Sequence, residues 1–206
     1  VLSGWGLNGR HVLDEHLRTR RNCVVVENNA QKIQKLSEMK VLVVEGDATQ
    51  DSTLKAAGIE RAAGLITALP TDKDNLFVLI SARGLNKNIR IVAKVDEMEA
   101  REKFLRSGAN AAVSGNYIAG LRMASEMIRP DAVTFLDSML RDNSQLRVED
   151  VIVGDGSKFV GKTLSSCDPL QDARVLLFSV KRSGDYQFNP SGSTHIHVGD
   201  TLIVIG

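Results

Sequence analysis

Through the first half of the chain, short runs rich in valine and isoleucine alternate with helical patterns, and this alternation limits the fold more than any other feature. The runs are Val1–Ser3, Cys23–Glu27, Val41–Glu45, Gly64–Ala68, Ile89–Val95 and Ala111–Ser114. Short, continuously apolar runs of this kind fit strands buried on both faces of a parallel sheet. The expected helices lie between them, at Gly9–Arg20, Ala30–Glu38, Asp51–Ala57, Lys73–Arg83 and Glu97–Arg106. In the second of these, Ile33 and Leu36 stand three apart and give one apolar face. Strand–helix alternation with right-handed crossovers produces a doubly wound sheet. The expected fold class is therefore α/β, a doubly wound parallel Rossmann sheet, followed by a smaller, β-rich α+β domain.

The remainder of the 206 residues is organised differently. A long helix is expected from about Tyr117 to Leu140, with Ile118, Leu121, Met127 and Ile128 apolar before Pro130 and Phe135, Leu136, Met139 and Leu140 after it. Proline inside a helix removes a hydrogen bond and clashes with the preceding turn, so a kink or break is expected at Pro130. That helix carries more apolar surface than one domain edge covers, which suits packing between domains or subunits. After Arg141-Asp142-Asn143-Ser144-Gln145 strands alternate with turns: Val148–Val153, Val175–Lys181, Tyr186–Phe188 and Thr201–Ile205. Arg182-Ser183-Gly184-Asp185 reads as a hairpin turn, Asn189-Pro190-Ser191-Gly192 as a loop, and one short helix is expected near Leu164. The expected division is a Rossmann nucleotide-binding domain over 1–116, packing helices over 117–143 and a β-rich domain over 144–206.

Composition narrows the function. A net charge of +1 supplies no field to draw in nucleic acid or anionic lipid, and 4% aromatics offers no stacking platform for single strands. Cys23 and Cys167 have neither metal-type spacing nor enough company for a disulfide framework, which fits a reduced cytosolic setting. No apolar run reaches the roughly eighteen residues of a transmembrane helix. Val1-Leu2-Ser3 reads as a strand already in progress and Thr201–Gly206 ends abruptly, so the chain is expected to be part of a longer protein with a membrane portion upstream.

The chemistry rests on Gly4-Trp5-Gly6-Leu7-Asn8-Gly9, a G-x-G-x-x-G entered from a strand and left by a helix. Gly4 permits the tight turn, Gly6 lets backbone approach a pyrophosphate, and Gly9 lets helix pack on strand. The helix N-terminus offers free N–H groups to phosphate. Glu27, at the end of the second strand and followed by Asn28, is placed to accept from both ribose hydroxyls. It would repel a 2′-phosphate, favouring NAD-type or plain adenine nucleotides, although Arg20, Arg21 and Lys32 lie nearby. Gly46-Asp47-Ala48-Thr49 closes the third strand, where Asp47 or Thr49 serves either the ligand or the following helix as a cap. The loop from Thr67 and Ala68 to Asn75 closes the fourth, and Lys94 near the end of the fifth suits a terminal phosphate. Asp72, Asp96 and Glu97, with Asp74 and Glu99 near them, are candidate oxygen ligands for a divalent cation. His195 and His197 alternate on a strand-like stretch and make a weak metal signal. There is no nucleophile elbow, no Walker loop and no histidine set beside a carboxylate in a catalytic arrangement. An NAD-dependent oxidoreductase would need an acid or base near the nicotinamide, and the sequence offers no candidate.

These elements resemble the RCK family, also called KTN or TrkA-N. The resemblance is carried by the glycine loop, Glu27, Gly46-Asp47-Ala48-Thr49, Ala57-Gly58-Ile59-Glu60-Arg61-Ala62, Arg90-Ile91-Val92-Ala93-Lys94 and Ser107-Gly108-Ala109-Asn110. The tail from about Leu146 is similar to the companion TrkA-C domain, through Gly156-Ser157, Val160-Gly161-Lys162-Thr163-Leu164 and Val198-Gly199-Asp200-Thr201-Leu202. The resemblance implies a non-enzymatic cytoplasmic regulator of a potassium channel, or else a soluble regulatory subunit of a Trk/Ktr potassium transporter. The implied ligands are NAD, ADP, ATP or AMP, and in some members Ca²⁺. It also implies homodimers, paired through the helix after the sheet, that assemble into an octameric ring at the cytoplasmic face of the membrane. By position, Gly6, Leu7 and Asn8 would contact phosphate, Glu27 the ribose, and Asp47 and Ala48 the adenine, with Thr67 and Ala68 lining the cleft. Leu7 stands where many members carry a basic residue. Lys94 stands where a calcium-gated archaeal channel has a glutamate ligand, which favours an anion there.

Overall fold

The computed structural model describes residues 1–140, 148–167 and 175–206. The stretch 141–147, on which the expected end of the packing helices and start of the third segment fall, lies outside the described residues, as do the side chains of Met139 and Leu140. The chain divides into two compact units, Val1–Met123 and Ala124–Gly206.

The first unit alternates strand and helix as the apolar runs require: β1 (Leu2–Ser3), α1 (Leu7–Arg18), β2 (Val24–Glu27), α2 (Ala30–Glu38), β3 (Leu42–Glu45), α3 (Asp51–Ala56), β4 (Gly64–Thr67), α4 (Asp72–Leu85), β5 (Arg90–Val95), α5 (Arg101–Arg106), β6 (Ala111–Ser114) and α6 (Gly115–Ile128). The six strands form one parallel sheet in the order β3-β2-β1-β4-β5-β6. The winding reverses between β1 and β4, and ligands of open α/β sheets bind beside such a reversal, at the carboxyl ends of the strands. Both faces are covered. Leu13 of α1 and Leu36 of α2 pack with Leu2, Val25 and Val41 on one face. Leu54, Val78, Leu79 and Phe104, from α3, α4 and α5, pack with Val26, Ile91 and Ala93 on the other. Full burial of each such side chain contributes about 1.5–3 kcal/mol.

Local chemistry moves several helix starts from where periodicity alone puts them. α1 begins at Leu7, two residues before Gly9, because extended Gly6 forms its N-cap. α4 begins at Asp72: Thr71 caps it by accepting from the Asp74 N–H at 3.1 Å and donating to the Asp74 carboxylate at 2.8 Å. The expected Glu97–Arg106 helix is a 3₁₀ turn, Met98–Ala100, followed by α5. The helix expected over 117–140 breaks at the proline, as its missing donor requires, into α6 and α7 (Pro130–Leu140), with Arg129 between them. Pro130 is the first residue of α7, a position whose N–H would have no intrahelical partner in any case. The boundary between the two units falls within α6.

The second unit contains a small antiparallel sheet of order β7-β10-β8-β9, built from β7 (Val148–Ile152), β8 (Leu176–Arg182), β9 (Asp185–Phe188) and β10 (Thr201–Ile205). Ser183 and Gly184 turn the β8–β9 hairpin with φ of 52° and 98°, the paired positive values a tight hairpin needs. Val153, Leu164, Cys167, Val180, Ile196 and Leu202 form the core, and a 3₁₀ turn, Leu164–Ser166, stands where a short helix was expected. The buried Asp200 accepts from Arg182 Nε at 2.8 Å, from another Arg182 guanidinium nitrogen at 2.7 Å and from the His197 N–H at 2.8 Å. The Arg182 guanidinium holds the Asp200 carboxyl below the usual aspartate value against the opposing effect of burial, and the His197 N–H adds to it. Among the described residues, no helix is long and apolar enough to cross a membrane.

Candidate functional site

A cleft of about 520 Å³ opens at the carboxyl edge of the sheet, where the β1–α1 loop, the end of β2 and the loop after β4 converge. Eight of the twelve residues expected to hold a nucleotide line it: Gly4, Gly6, Leu7, Asn8, Glu27, Asn28, Ala68 and Lys94. The other four, Gly9, Asp47, Ala48 and Thr67, are not among its wall residues. Gly9 lies beneath the loop, against Gly4. Asp47 turns its carboxylate onto the Thr49 N–H and hydroxyl, at 2.9 and 2.8 Å, while Gln50 and not Asp47 or Thr49 is the N-cap of α3. Ala48 belongs to the core, and Thr67 is fully buried with its hydroxyl unpartnered among the described residues.

The three glycines of the loop do different physical work. Gly4 has φ of +91°, and a Cβ there would meet the Ala68 carbonyl oxygen at 2.9 Å. A Cβ on Gly9 would run into the Gly4 carbonyl oxygen far inside van der Waals contact. A Cβ on Gly6 would meet nothing within 4 Å, because it would stand in the cleft itself. The bare Cα of Gly6 therefore leaves room for a ligand at the N-terminus of α1.

Glu27 is the electrostatic centre of the cleft. Only 6% exposed, its carboxylate accepts from the Trp5 N–H at 2.9 Å on one oxygen. The other oxygen accepts from the Asn28 and Asn29 N–H groups, each at 3.1 Å. Lys32 Nζ lies 3.5 Å away. One side chain thus ties the glycine loop to the turn between β2 and α2. A carboxylate has about four lone-pair positions, so Glu27 can accept one further donor without losing a bond. The expectation that it takes both ribose hydroxyls would require release of an existing partner.

Burial works against the charge on Glu27, but the backbone donors and the Lys32 ammonium together outweigh it and hold the pKa below the ordinary glutamate value. A lowered folded pKa means stability that is fully present above the unfolded value and lost as pH falls through the folded one. Glu27→Gln should therefore lower stability by about 2 kcal/mol at neutral pH, since a buried acceptor oxygen becomes a donor facing donors. The deficit should shrink as pH falls below the ordinary glutamate range. Urea denaturation of both proteins across that range checks it.

The cation candidates are engaged elsewhere. Asp72 accepts from the Asp96 N–H at 2.7 Å and from the Glu97 N–H at 3.4 Å, which fixes the loop after β5 to the start of α4. Asp96 pairs with Lys94 at 2.8 Å, so the cleft lysine has a counter-charge in place, and its ammonium also lies 3.4 Å from the Leu69 carbonyl oxygen. Among the described residues, no group of three histidine, cysteine, aspartate or glutamate side chains is gathered to hold a metal ion, His195 and His197 included.

The cleft also contains residues that motif reading passed over. Trp5, the chain's single tryptophan, is a variable position of the glycine motif yet forms cleft wall; it is 6% exposed, with the Arg10 guanidinium 5.1 Å from its ring centroid. Its backbone N–H is one of the Glu27 donors. Asn29 and Asn116 line the cleft too. Asn29 carried a detectable signal, because it caps α2 by accepting from the Lys32 N–H. Asn116 carried none, since it depends on α6 starting beside Asn8 of the loop.

A family model described as the TrkA-N domain matches residues 1–115, and one described as the TrkA-C domain matches residues 148–206. The probable potassium channel protein 2 of Methanocaldococcus jannaschii is 30% identical over 214 residues, covering 100% of this chain and 62% of that protein. The Trk system potassium uptake protein TrkA homolog of Archaeoglobus fulgidus is 22% identical over 209 residues, covering 100% of this chain and 46% of its own length. Among solved structures, the GsuK channel bound to NAD has a TM-score of 0.57 at 23% identity, covering 100% of this chain and 35% of that one, a likeness of fold. The chain spans less than two thirds of the length of the relatives it matches.

Proposed function

The chain belongs to the TrkA-N domain family and continues into a TrkA-C domain, and on that premise we propose that it is the ligand-sensing regulatory part of a potassium channel. The ligand is NAD or another adenine nucleotide, ADP, ATP or AMP. One observation carries this reading: an open position over Gly6 at the N-terminus of α1 faces the same cleft as the buried carboxylate of Glu27. The backbone N–H groups of Gly6, Leu7 and Asn8 would hold the phosphates with the help of the helix dipole. The free acceptor position of Glu27 would take a ribose hydroxyl, and its charge would disfavour a 2′-phosphate. Lys94 and Lys32 would add positive charge. A divalent cation would have to draw Asp72 and Asp96 from their present partners.

The name of the Methanocaldococcus relative supports a channel, and that of the Archaeoglobus relative supports the second reading, a regulatory subunit of a Trk-type potassium transporter. In either the nucleotide is a signal and not a reactant, acting at the cytoplasmic face of the membrane. A ligand shifts an equilibrium only by preferring one state. Turning a gate from mostly shut to mostly open takes about 5.5 kcal/mol of such preference. Shared over eight sites of a ring, that is roughly 0.7 kcal/mol each. The test is potassium flux through the full-length protein in vesicles. Flux that responds to NAD and loses the response in Gly6→Asp supports the reading, whereas flux indifferent to every adenine nucleotide contradicts it.

Pairing of protomers would run through 117–140. Ile118, Leu121, Met123, Met127 and Ile128 of α6 are each more than half exposed, an apolar surface of the kind that marks an interface. Leu121→Asp with Ile128→Asp is expected to convert a dimer to a monomer in sedimentation velocity and to leave the far-ultraviolet spectrum unchanged.

A further inference from the structure

The cleft extends well past the glycine loop. The strands run in the order β3-β2-β1-β4-β5-β6, so Glu27 at the end of β2 and Gly6 just beyond β1 lie one strand step apart. A ribose at Glu27 and phosphates over Gly6 occupy only this near end. On the other side of Gly6 the wall continues through Ala68, Leu69 and Pro70 after β4, Lys94 on β5 and Asn116 just after β6. Neighbouring strands stand about 4.8 Å apart, so this far end reaches roughly 10–14 Å past the phosphate position.

The far end is polar but carries no net charge, because Lys94 is already paired with Asp96 at 2.8 Å. Asn116 is exposed there, and no described residue hydrogen-bonds its side chain. An amide side chain offers two donor hydrogens and an acceptor oxygen. Asn116 is also firmly placed. Ser114, at the end of β6, accepts from the Tyr117 N–H at 3.3 Å, as a helix cap does, and donates to the Asp96 carbonyl oxygen at 3.2 Å. These bonds fix the start of α6 to the loop after β5. The glycine loop adjoins it: a Cβ on Gly115 would lie 3.5 Å from the Asn8 amide nitrogen.

We propose that the far end takes the second nucleoside of a dinucleotide and that Asn116 is the residue that selects for it, an inference that rests on the nucleotide reading above. One or two further phosphates extend a mononucleotide too little to reach Asn116. They also bring negative charge to a wall whose lysine is already neutralised. A second ribose and base span the gap, add no phosphate there, and offer hydroxyl or amide groups that an asparagine can pair with. Because Asn116 is the second residue of α6, this contact sets the ligand against the helix that carries the exposed apolar surface.

The test is calorimetric titration of the chain with NAD, ADP and ATP. ADP shares the adenosine and both phosphates of NAD and lacks only the second nucleoside. NAD should bind at least about tenfold more tightly than ADP, and ATP no more tightly than ADP. Asn116→Ala should weaken NAD about fivefold, the loss of one hydrogen bond. Asn116→Phe, which fills the far end, should bring NAD down to the affinity of ADP. Both variants should bind ADP as the parent does, which shows that the near end of the cleft is intact. ADP or ATP binding as tightly as NAD, NAD binding unchanged in Asn116→Phe, or ADP weakened as much as NAD in that variant overturns the inference and leaves the nucleotide reading standing. Binding of none of the three contradicts the nucleotide reading itself, and this inference with it.

Discussion

Gly9→Ala is expected to destabilise the first unit by at least about 3 kcal/mol, the largest effect of any single methyl group in the loop. The added carbon would collide with the Gly4 carbonyl oxygen, which is backbone and has nowhere to move. Gly4 is itself held at φ +91° against Ala68, and its N–H donates to the Val26 carbonyl at 2.9 Å. Relief would therefore demand either withdrawal of α1 from the sheet or loss of the β1–β2 connection. Helix propensity, which favours alanine over glycine by about 1 kcal/mol, is too small to compensate. A urea midpoint shifted to much lower denaturant with an unchanged slope would confirm it. A midpoint within error of the parent would show that the loop relaxes more readily than its contacts imply.

Gly6→Asp should do the opposite. Its Cβ meets no atom within 4 Å, and residue 6 is the N-cap of α1, where an aspartate accepts from the first turn. The variant should be as stable as the parent or about a few tenths of a kcal/mol more so. Its carboxylate would occupy the space over the helix N-terminus and repel phosphate, so nucleotide affinity should fall by about 100-fold or more. Two glycines of one motif, three residues apart, thus separate folding from binding. Thermal midpoints with and without NAD measure both quantities in one experiment.

The sheet was legible because its strands are short and mostly apolar: each of β1 to β6 lies within an expected run, and the parallel pairing follows from helices in between. The glycine loop and Glu27 were legible because the chemistry of a phosphate-binding turn restricts residue type at fixed spacing. Chain geometry limited what else could be read. Asp47 and Thr67 stand at strand ends where ligands gather, yet Asp47 closes its own turn on Thr49 and Thr67 points into the core, and spacing along a chain does not report either. Trp5 and Asn116 reach the cleft through tertiary placement of a variable loop position and of the start of α6. Lys94 lies in the cleft wall, and its pairing with Asp96 shows only in three dimensions. The break before Pro130 was readable from proline's missing donor, and the helical stretch beyond it from the apolar face that resumes at Phe135 and Leu136.

Binding of NAD or another adenine nucleotide in the cleft between Gly6 and Glu27 is measured by titrating NAD, ADP, ATP and AMP in turn against the emission of Trp5, the chain's single tryptophan and part of the cleft wall. A saturable change in emission with at least one of them, absent in Gly6→Asp, is the expected result. Emission that stays constant up to about 1 mM of all four nucleotides, or that changes equally in Gly6→Asp, rules such binding out.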